Sequence, residues 1–145
     1  MSKSLVKDFR PYVAPSVVDE NAHVTDIVQH FVMNPSLHHV CVVDGDNRLL
    51  GLINRKRLFK SLFSHHVAAD SRVSNLFTYL TATTSSQIMF THILSATEEG
   101  SIDEVIRIMI EHNIREIPIL DGEGRLLGFL TTLKIMHEWL SGNIT

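Results

Sequence analysis

Residues 40–54 read VCVVDGDNRLLGLIN, and residues 117–131 read IPILDGEGRLLGFLT. The second stretch follows the first by about 77 positions and matches it in place at Asp, Gly, Arg, Leu, Leu and Gly. Self-similarity over tens of residues indicates two copies of one supersecondary unit. The chain therefore contains an internal repeat, and this repeat decides its architecture.

Each stretch is typical of a β-hairpin, because two aliphatic runs flank an Asp-Gly turn that tolerates a positive φ. A helix is predicted before each hairpin from apolar residues at i, i+3, i+4, i+7 and i+8, which we expect to face a core. These residues are Val24, Ile27, Val28, Phe31 and Val32 in the first copy, and Ile102, Val105, Ile106, Met109 and Ile110 in the second. A further helix follows each hairpin, carrying Leu58, Leu62 and Phe63 or Ile135, Trp139 and Leu140.

With leading strands near residues 16–18 and 93–96, the fold class is α/β in the broad sense (α+β), with two tandem β-α-β-β-α repeats. We expect the repeats to pack with pseudo-twofold symmetry, because neither copy buries its helices and sheet alone. Residues 1–71 form the first repeat with an N-terminal segment, and residues 72–145 form a linker helix and the second repeat. Leu76, Phe77 and Leu80 predict the linker helix, and residues 81–86 a polar connector.

The chain has 145 residues, 44% of them hydrophobic and 20% charged, as in a globular protein. Its apolar runs are too short to span a membrane, and its formal net charge of −3 disfavours nucleic acid as a partner. Cys41 is the one cysteine and lies in an apolar strand, so we expect a buried thiol. Without a secretory signal pattern near the N-terminus, these features favour the cytoplasm.

Nothing in the sequence predicts catalysis or a metal site. The motifs Gly-x-Ser-x-Gly, Gly-x-Gly-x-x-Gly and the Gly-Lys phosphate loop are absent. His38 and His39 are adjacent on a strand and so point to opposite faces, and no Cys pair or acidic cluster accompanies them or His65 and His66. We therefore expect no enzyme activity.

The second copy, with residues 114–121 (IREIPILD), Gly124 and residues 128–131 (GFLT), resembles the cystathionine β-synthase (CBS) domain. The first copy resembles it less closely, since Cys41 and Asn54 stand where Pro and Thr or Ser are usual. Two such domains in tandem look like a Bateman module, over roughly residues 12–141. The resemblance implies a regulatory module, usually a homodimer, that needs no cofactor. It also implies that AMP, ADP, ATP or S-adenosylmethionine binds in clefts between the repeats.

The resemblance also implies particular site residues. The family's ribose-binding motif, a hydroxyl residue followed three positions later by Asp, falls on Thr131 and Lys134 in one copy and on Asn54 and Arg57 in the other. The ribose-binding carboxylate is thus replaced by a cation twice, and a cation only donates hydrogen bonds. The resemblance also implies that an apolar slot for the base of the ligand is formed by Leu94, Ala96, Ile117 and Pro118. It makes Thr91 a polar contact and places Arg115 near the cleft.

Two interpretations of these positions stay open. Asn54 and Thr131 are good N-caps, and Arg57 and Lys134 then lie in a first helical turn, where a cation opposes the helix dipole. Either these cations are simply solvated, or they help a helix N-terminus bind a small anionic ligand. The turn residues Arg48 and Arg125 are either solvated or paired with Asp46 and Glu123, and solvation is favoured.

Two classes of function remain. The first is a sensor that binds an anionic ligand and passes the signal to a separate effector protein. The second is an assembly module that binds no nucleotide and dimerises through apolar helix positions, namely Phe59, Phe63, Trp139 and Leu140, unless these pack in the core.

Overall fold

The computed structural model describes residues 2–66 and 83–144. The linker helix predicted from Leu76, Phe77 and Leu80 lies outside these residues. The polar connector predicted for residues 81–86 is wrong at its end, because a short helix already begins at Ser85. Gln87 stabilises this start by accepting hydrogen bonds from the backbone N–H groups of residues 83 and 84.

The described residues form two compact units. One unit comprises residues 16–93, and the other combines residues 1–15 with residues 94–145. The sequence groups the N-terminal segment with the first repeat, whereas the structure places it in one unit with the second.

The unit of residues 16–93 contains a three-stranded sheet in the order β1-β2-β3. Strand β1 is parallel to β2, and β2 is antiparallel to β3. Its elements are β1 (Ser16–Asp19), α1 (Val24–Met33), β2 (His39–Val43), β3 (Leu49–Asn54), α2 (Arg55–Phe63), a 3-10 helix (Ser64–His66) and α3 (Ser85–Ile88). This confirms the predicted order of strand, helix, hairpin and helix.

The other unit contains the corresponding sheet in the order β4-β5-β6. Its elements are a 3-10 helix (Val6–Phe9), β4 (Ala96–Thr97), α4 (Ile102–His112), β5 (Glu116–Leu120), β6 (Leu126–Thr131) and α5 (Thr132–Leu140). The leading strand predicted near residues 93–96 is confirmed only at Ala96, because β4 begins there and pairs with β5 at Ala96 and Thr97, opposite Ile119 and Leu120.

Both hairpin turns are organised by an aspartate side chain. Asp44 Oδ1 accepts hydrogen bonds from the backbone N–H groups of Asp46 and Arg48, at 2.9 and 3.0 Å, and Asp121 does the same in the second hairpin. The positive φ angle lies at Asn47 (63°) and Gly124 (82°). The glycine of the Asp-Gly pair therefore does not supply the left-handed residue, contrary to expectation.

Each unit has one apolar core on the helix-facing side of its sheet. One core contains Ile27, Phe31, Val40, Val42, Ile53, Leu58 and Ile88, and the other Val6, Phe9, Ile102, Val105, Met109, Ile117, Ile119 and Leu130. Val32 and Ile110 were expected there but are 69% and 75% exposed. Val32 and Ile110 lie eight residues after the first apolar residue of their helices. At 3.6 residues per turn this is two turns and roughly 80° more, so the i+8 side chain points away from the buried side of the helix.

A segment that precedes the other repeat completes each core. Val6 and Phe9 of the N-terminal segment are fully buried against α4, and Val13 exchanges two backbone hydrogen bonds of 2.9 Å with Phe129. In the unit of residues 16–93, Ile88 is buried and Phe90 exchanges the equivalent pair of bonds with Leu52. The segment before each repeat thus supplies a helix and an edge pairing to the other one.

Gly128 allows the N-terminal segment to lie against β6. A Cβ atom added at Gly128 would lie 2.8 Å from both Tyr12 Cβ and the backbone oxygen of Val13, and φ there is +150°. The repeat-equivalent Gly51 has φ outside the positive range, and the three atoms nearest to an added Cβ all belong to the side chain of Met89. Glycine is therefore required more strictly at position 128 than at position 51.

We predict that Gly128→Ala lowers the free energy of unfolding by about 1–3 kcal/mol, because the backbone of Val13 cannot move away without breaking its pairing. Gly122→Ala is the matched control, since nothing lies within 4 Å of that position. It should change the free energy by less than about 0.5 kcal/mol. Urea unfolding of both variants measures the difference, and equal losses would contradict the role of Gly128.

Candidate functional site

The candidate site residues lie where a strand runs directly into a helix, once in each unit. Strand β3 passes into α2 at Asn54, and β6 passes into α5 at Thr131. Asn54 Oδ1 accepts a hydrogen bond from the N–H of Arg57 at 2.8 Å, and Thr131 Oγ1 accepts one from the N–H of Lys134 at 3.1 Å. The predicted capping role of both residues is confirmed.

The first junction, defined as Asn54, Lys56, Arg57, Lys60 and Phe90, surrounds a pocket of about 160 Å³. Arg57 donates hydrogen bonds to the carbonyl oxygens of Ile88 and, at 3.4 Å, Met89. Its guanidinium carbon lies 5.9 Å from the centroid of the Phe90 ring. Among the described residues, no carboxylate lines this pocket, so three cations and one aromatic ring surround it.

The second junction, defined as Thr131, Lys134 and Glu138, contains a buried carboxylate. Glu138 is only 5% exposed, and its Oε1 lies 3.4 Å from Lys134 Nζ. Its Oε2 accepts a hydrogen bond from Asn143 at 2.7 Å and pairs with Lys3 Nζ at 3.1 Å. The bond from Asn143, followed by those from Lys3 and Lys134, holds the pKa of Glu138 at about 2.

One repeat position explains the difference between the junctions. Glu138 in α5 corresponds to Ser61 in α2, so Arg57 has no carboxylate one helical turn further on. Arg57 is held by backbone carbonyls, which are neutral, while Lys134 is held by a full negative charge. Neither cation is simply solvated, so that interpretation is wrong. Among the described residues, only the second junction contains a carboxylate.

The other residues that the resemblance implies lie in different surroundings. Ile117 packs in the core of its unit, and its neighbour Pro118 points to the opposite face of β5, so the two do not share one surface. Leu94 and Ala96 are half-buried. The Arg115 carbonyl accepts a 2.8 Å hydrogen bond from residue 132, which places Arg115 beside Thr131. Thr91 is exposed and belongs to the unit of residues 16–93.

Both turn arginines form ion pairs, although solvation was favoured. Arg48 Nη1 lies 3.4 Å from Asp46 Oδ2, and Arg125 pairs with Glu123. Cys41 is fully buried, as predicted. Within residues 2–66 and 83–144, no group of three or more His, Cys, Asp or Glu residues is placed to bind a metal ion. No helix in this part of the chain is long and apolar enough to span a membrane.

Sequence reasoning missed Lys60 and Phe90 at the first junction, and Lys3 and Glu138 at the second. Glu138 lies four residues after Lys134, a spacing that brings side chains together on one helix face and was visible in the sequence. Lys60 stands in the same way three residues after Arg57. Phe90 and Lys3 reach their junctions through long-range packing, for which the sequence carries no local signal.

We predict that Glu138 makes the stability of its unit, residues 1–15 with residues 94–145, sensitive to acid. Its pKa is about 2 when folded, below its ordinary value of 4.5, so its stabilisation is complete above pH 4.5. That stabilisation is lost as the pH falls from about 4.5 towards 2. Glu138→Gln should therefore lower the Tm at pH 7, and the difference from the wild type should shrink below pH 4.

Thermal melts between pH 7 and pH 2 measure this dependence. Glu111→Gln, which removes an exposed carboxylate from α4, is the control and should differ little from the wild type at any pH. A constant difference between Glu138→Gln and the wild type across the pH range would contradict the role assigned to the carboxylate.

Known proteins resemble the chain over nearly its full length. It is 29% identical over 137 residues to a homoserine O-acetyltransferase of Methanosphaera stadtmanae, covering 94% of this chain but only 24% of that protein. The crystal structure of CBSX2 in complex with AMP superimposes with a TM-score of 0.75 at 20% identity, covering 96% of this chain and 98% of that one. The CBS domain pair of protein MJ0100, in complex with 5-methylthioadenosine and S-adenosyl-L-methionine, has a TM-score of 0.68 at 22% identity, covering 95% and 97%.

The family model of the CBS domain matches residues 3–64 and 86–141. These two matches cover most of the chain and coincide with the two copies of the internal repeat. The fold inferred from the resemblance is therefore confirmed, and the chain belongs to the CBS domain family as a tandem pair of CBS domains.

Proposed function

We propose that this chain is a non-catalytic regulatory module whose first junction binds the anionic group of a ligand. The observation that carries the proposal is the pocket lined by Lys56, Arg57 and Lys60 with no described carboxylate. Phosphate groups are held by such clusters of cationic donors beside a helix N-terminus. The α2 N-terminus, with its cap at Asn54, adds its dipole to the same field.

The second junction is a weaker candidate for an anion. A phosphate that approached Lys134 would have to displace Glu138 or remain beside its charge. Two like charges at a few ångströms repel, and more strongly where solvent is excluded. The proposed anion binding is thus asymmetric, because among the described residues only the second junction holds a carboxylate that would repel the anion.

The pocket is smaller than the roughly 300–1,000 Å³ of most small-molecule sites. We propose that it holds the phosphate portion of an adenine nucleotide, while the rest of the ligand lies outside it. CBSX2 was crystallised with AMP, and MJ0100 with S-adenosyl-L-methionine. A cationic junction favours AMP, ADP or ATP over S-adenosylmethionine, whose sulfonium is itself a cation.

Regulation requires that the ligand binds two states of the protein with different affinity. The proposed output is a change in conformation or association that an effector protein detects.

A thermal-shift panel with AMP, ADP, ATP, inorganic polyphosphate, phosphate and S-adenosylmethionine tests the proposal. A nucleotide at about 100 times its Kd should raise the Tm by about 5–10 °C. Lys60→Ala should weaken that binding about tenfold, because it removes a charge-assisted contact. S-adenosylmethionine should have the smallest effect.

Lys7→Ala is the matched control, since Lys7 is a surface lysine of the other unit, paired with Glu99 at 3.3 Å. It should leave the ligand-induced shift unchanged. If no phosphate compound raises the Tm of the wild type, or if Lys60→Ala responds like the wild type, the proposed anion site does not exist.

A second candidate function is self-association through α5. Leu133, Met136, Trp139 and Leu140 are 72%, 56%, 63% and 78% exposed, so this helix presents a continuous apolar surface. Exposed apolar patches of this kind mark protein interfaces. Phe59, Phe63, Trp139 and Leu140 are exposed, so the alternative that they pack in the core is wrong. A homodimer whose interface contains these four residues, on α2 and α5, remains our proposal, and α5 presents its most apolar part.

Trp139→Ser should convert such a dimer to a monomer, because buried aromatic residues dominate interface energies. Ile110→Ser is the control, since Ile110 is 75% exposed on α4. Light scattering coupled to size exclusion measures the mass of each variant. A wild-type mass of one chain at micromolar concentration would refute the dimer.

A further inference from the structure

A pocket of about 590 Å³ lies near the start of β6. It is called the Glu98 pocket below, and its lining residues are Arg10, Pro11, Tyr12, Glu98 and Leu127. All of them belong to the unit of residues 1–15 and 94–145. Leu127 stands four residues before Thr131, so at about 3.3 Å per residue the pocket lies at the opposite end of β6 from the second junction. Its volume is within the range of roughly 300–1,000 Å³ that is typical of small-molecule sites.

Three donors converge on one oxygen of the Glu98 carboxylate. Arg10 Nε and Nη2 each lie 2.5 Å from Glu98 Oε2, and the Tyr12 hydroxyl donates to the same oxygen at 2.7 Å. Among the described residues, no hydrogen bond or ion pair reaches the other oxygen, Oε1. Since both oxygens of an ionised carboxylate accept hydrogen bonds, Glu98 can bind a further donor.

The protonation states in this pocket are well defined near pH 7. Hydrogen bonds from Tyr12 and Arg10 lower the pKa of Glu98 below its ordinary value, so the carboxylate is charged. Burial and the bond to Glu98 raise the pKa of Tyr12 to about 12, so the phenol keeps its proton. The pocket thus presents one negative and one positive side chain.

Arg10 also keeps part of its guanidinium available. Its pairing uses the edge formed by Nε and Nη2, and Nη1 pairs with no carboxylate of the described residues. The side chain is 60% exposed. The second edge, formed by Nη1 and Nη2, can therefore bind another carboxylate through two parallel hydrogen bonds.

The fold does not require charged side chains at this place. The positions equivalent to Arg10, Tyr12 and Glu98 in the other repeat are uncharged, namely Gln87, Met89 and Asn21. Both preceding segments nevertheless pair with their hairpins through the same two backbone hydrogen bonds. The charged pocket is thus a property of one repeat and indicates a ligand.

We propose that the Glu98 pocket binds a small zwitterion with an apolar side chain, such as a free amino acid. Its ammonium group would donate to Glu98 Oε1, and its carboxylate would accept hydrogen bonds from the second edge of Arg10. Its side chain would lie against Pro11, the Tyr12 ring and Leu127, which is 39% exposed. A simple cation would be repelled by Arg10 and a simple anion by Glu98, whereas a zwitterion meets an opposite charge at each end. This binding does not depend on the proposed function of the first junction.

NMR titration of the isotope-labelled full chain tests the proposal, with L-leucine, L-methionine and L-phenylalanine as ligands. At least one of them should shift the amide signals of Tyr12, Glu98 and Leu127 in a saturable manner. Isopentylamine and isocaproate are leucine without its carboxylate and without its ammonium group. Both should bind at least about tenfold more weakly than leucine, because each lacks one charge-assisted contact.

Two variants test the assigned contacts. Glu98→Gln removes the charge that receives the ammonium group, and Arg10→Lys removes the planar edge that binds the carboxylate. Each should weaken amino-acid binding at least about tenfold. If circular dichroism shows that Glu98→Gln is not folded, Leu127→Ala replaces it and should weaken leucine binding about threefold, since part of the apolar contact is lost.

Three controls match these variants. Glu99→Gln neutralises the neighbouring exposed carboxylate, Arg48→Lys makes the same change at an exposed arginine of the other unit, and Ile110→Ala shortens an exposed side chain of α4. All three should bind the amino acid like the wild type. Lys60→Ala should do so too, because Lys60 lies in the first junction.

Several outcomes would overturn the proposal. These are the absence of signal shifts with all three amino acids, wild-type affinity in Glu98→Gln or its replacement, and binding of isopentylamine or isocaproate as tight as that of leucine. Shifts confined to the residues of the first junction would overturn it as well. A nucleotide that fails to raise the Tm refutes the function proposed for the first junction and leaves the Glu98 pocket unaffected.

Discussion

The structure depends on the burial of a short apolar segment against the sheet and helix of each unit. Val6 and Phe9 do this in one unit, and Ile88 in the other. A three-stranded sheet with two helices buries too little apolar surface to be stable alone, so the added helical turn completes the core. The segments lie close to the glycine at the same place in both hairpins: the backbone of Val13 lies against Gly128 in β6, and the side chain of Met89 lies against Gly51 in β3.

This arrangement also brings the charged residues of the junctions into contact with their partners. Phe90 and the carbonyls that hold Arg57 arrive on the segment that docks beside β3. Lys3, which pairs with Glu138, arrives on the segment that docks beside β6. Each junction is thus built from a local strand-to-helix turn and one distant segment, and the segment determines much of its electrostatics.

The two repeats have the same order of strands and helices but differ in the charge of their junctions. Serine at position 61 and glutamate at position 138 decide whether the neighbouring cation is neutralised. Lysines on α2 and aliphatic side chains on α5 likewise give the equivalent exposed faces different chemistry. The two repeats therefore share one fold but differ in surface chemistry, and we propose anion binding at the first junction and self-association through exposed apolar positions of α2 and α5.

The order of strands and helices, the paired hairpins and the capping residues were determined by the sequence alone, because they follow from local periodicity and from side chains that bond to nearby backbone. The prediction that Val32 and Ile110 face the core was wrong, because the buried side of a helix is narrower than the spacing of its apolar residues suggests. Tertiary structure alone decided which segment completes which core, that Lys3 joins Lys134 in pairing with Glu138, and that no carboxylate of the described residues pairs with Lys56 or Lys60. The segment contacts and the Lys3 pairing join residues far apart in the chain, and such contacts leave no periodic signal in the sequence.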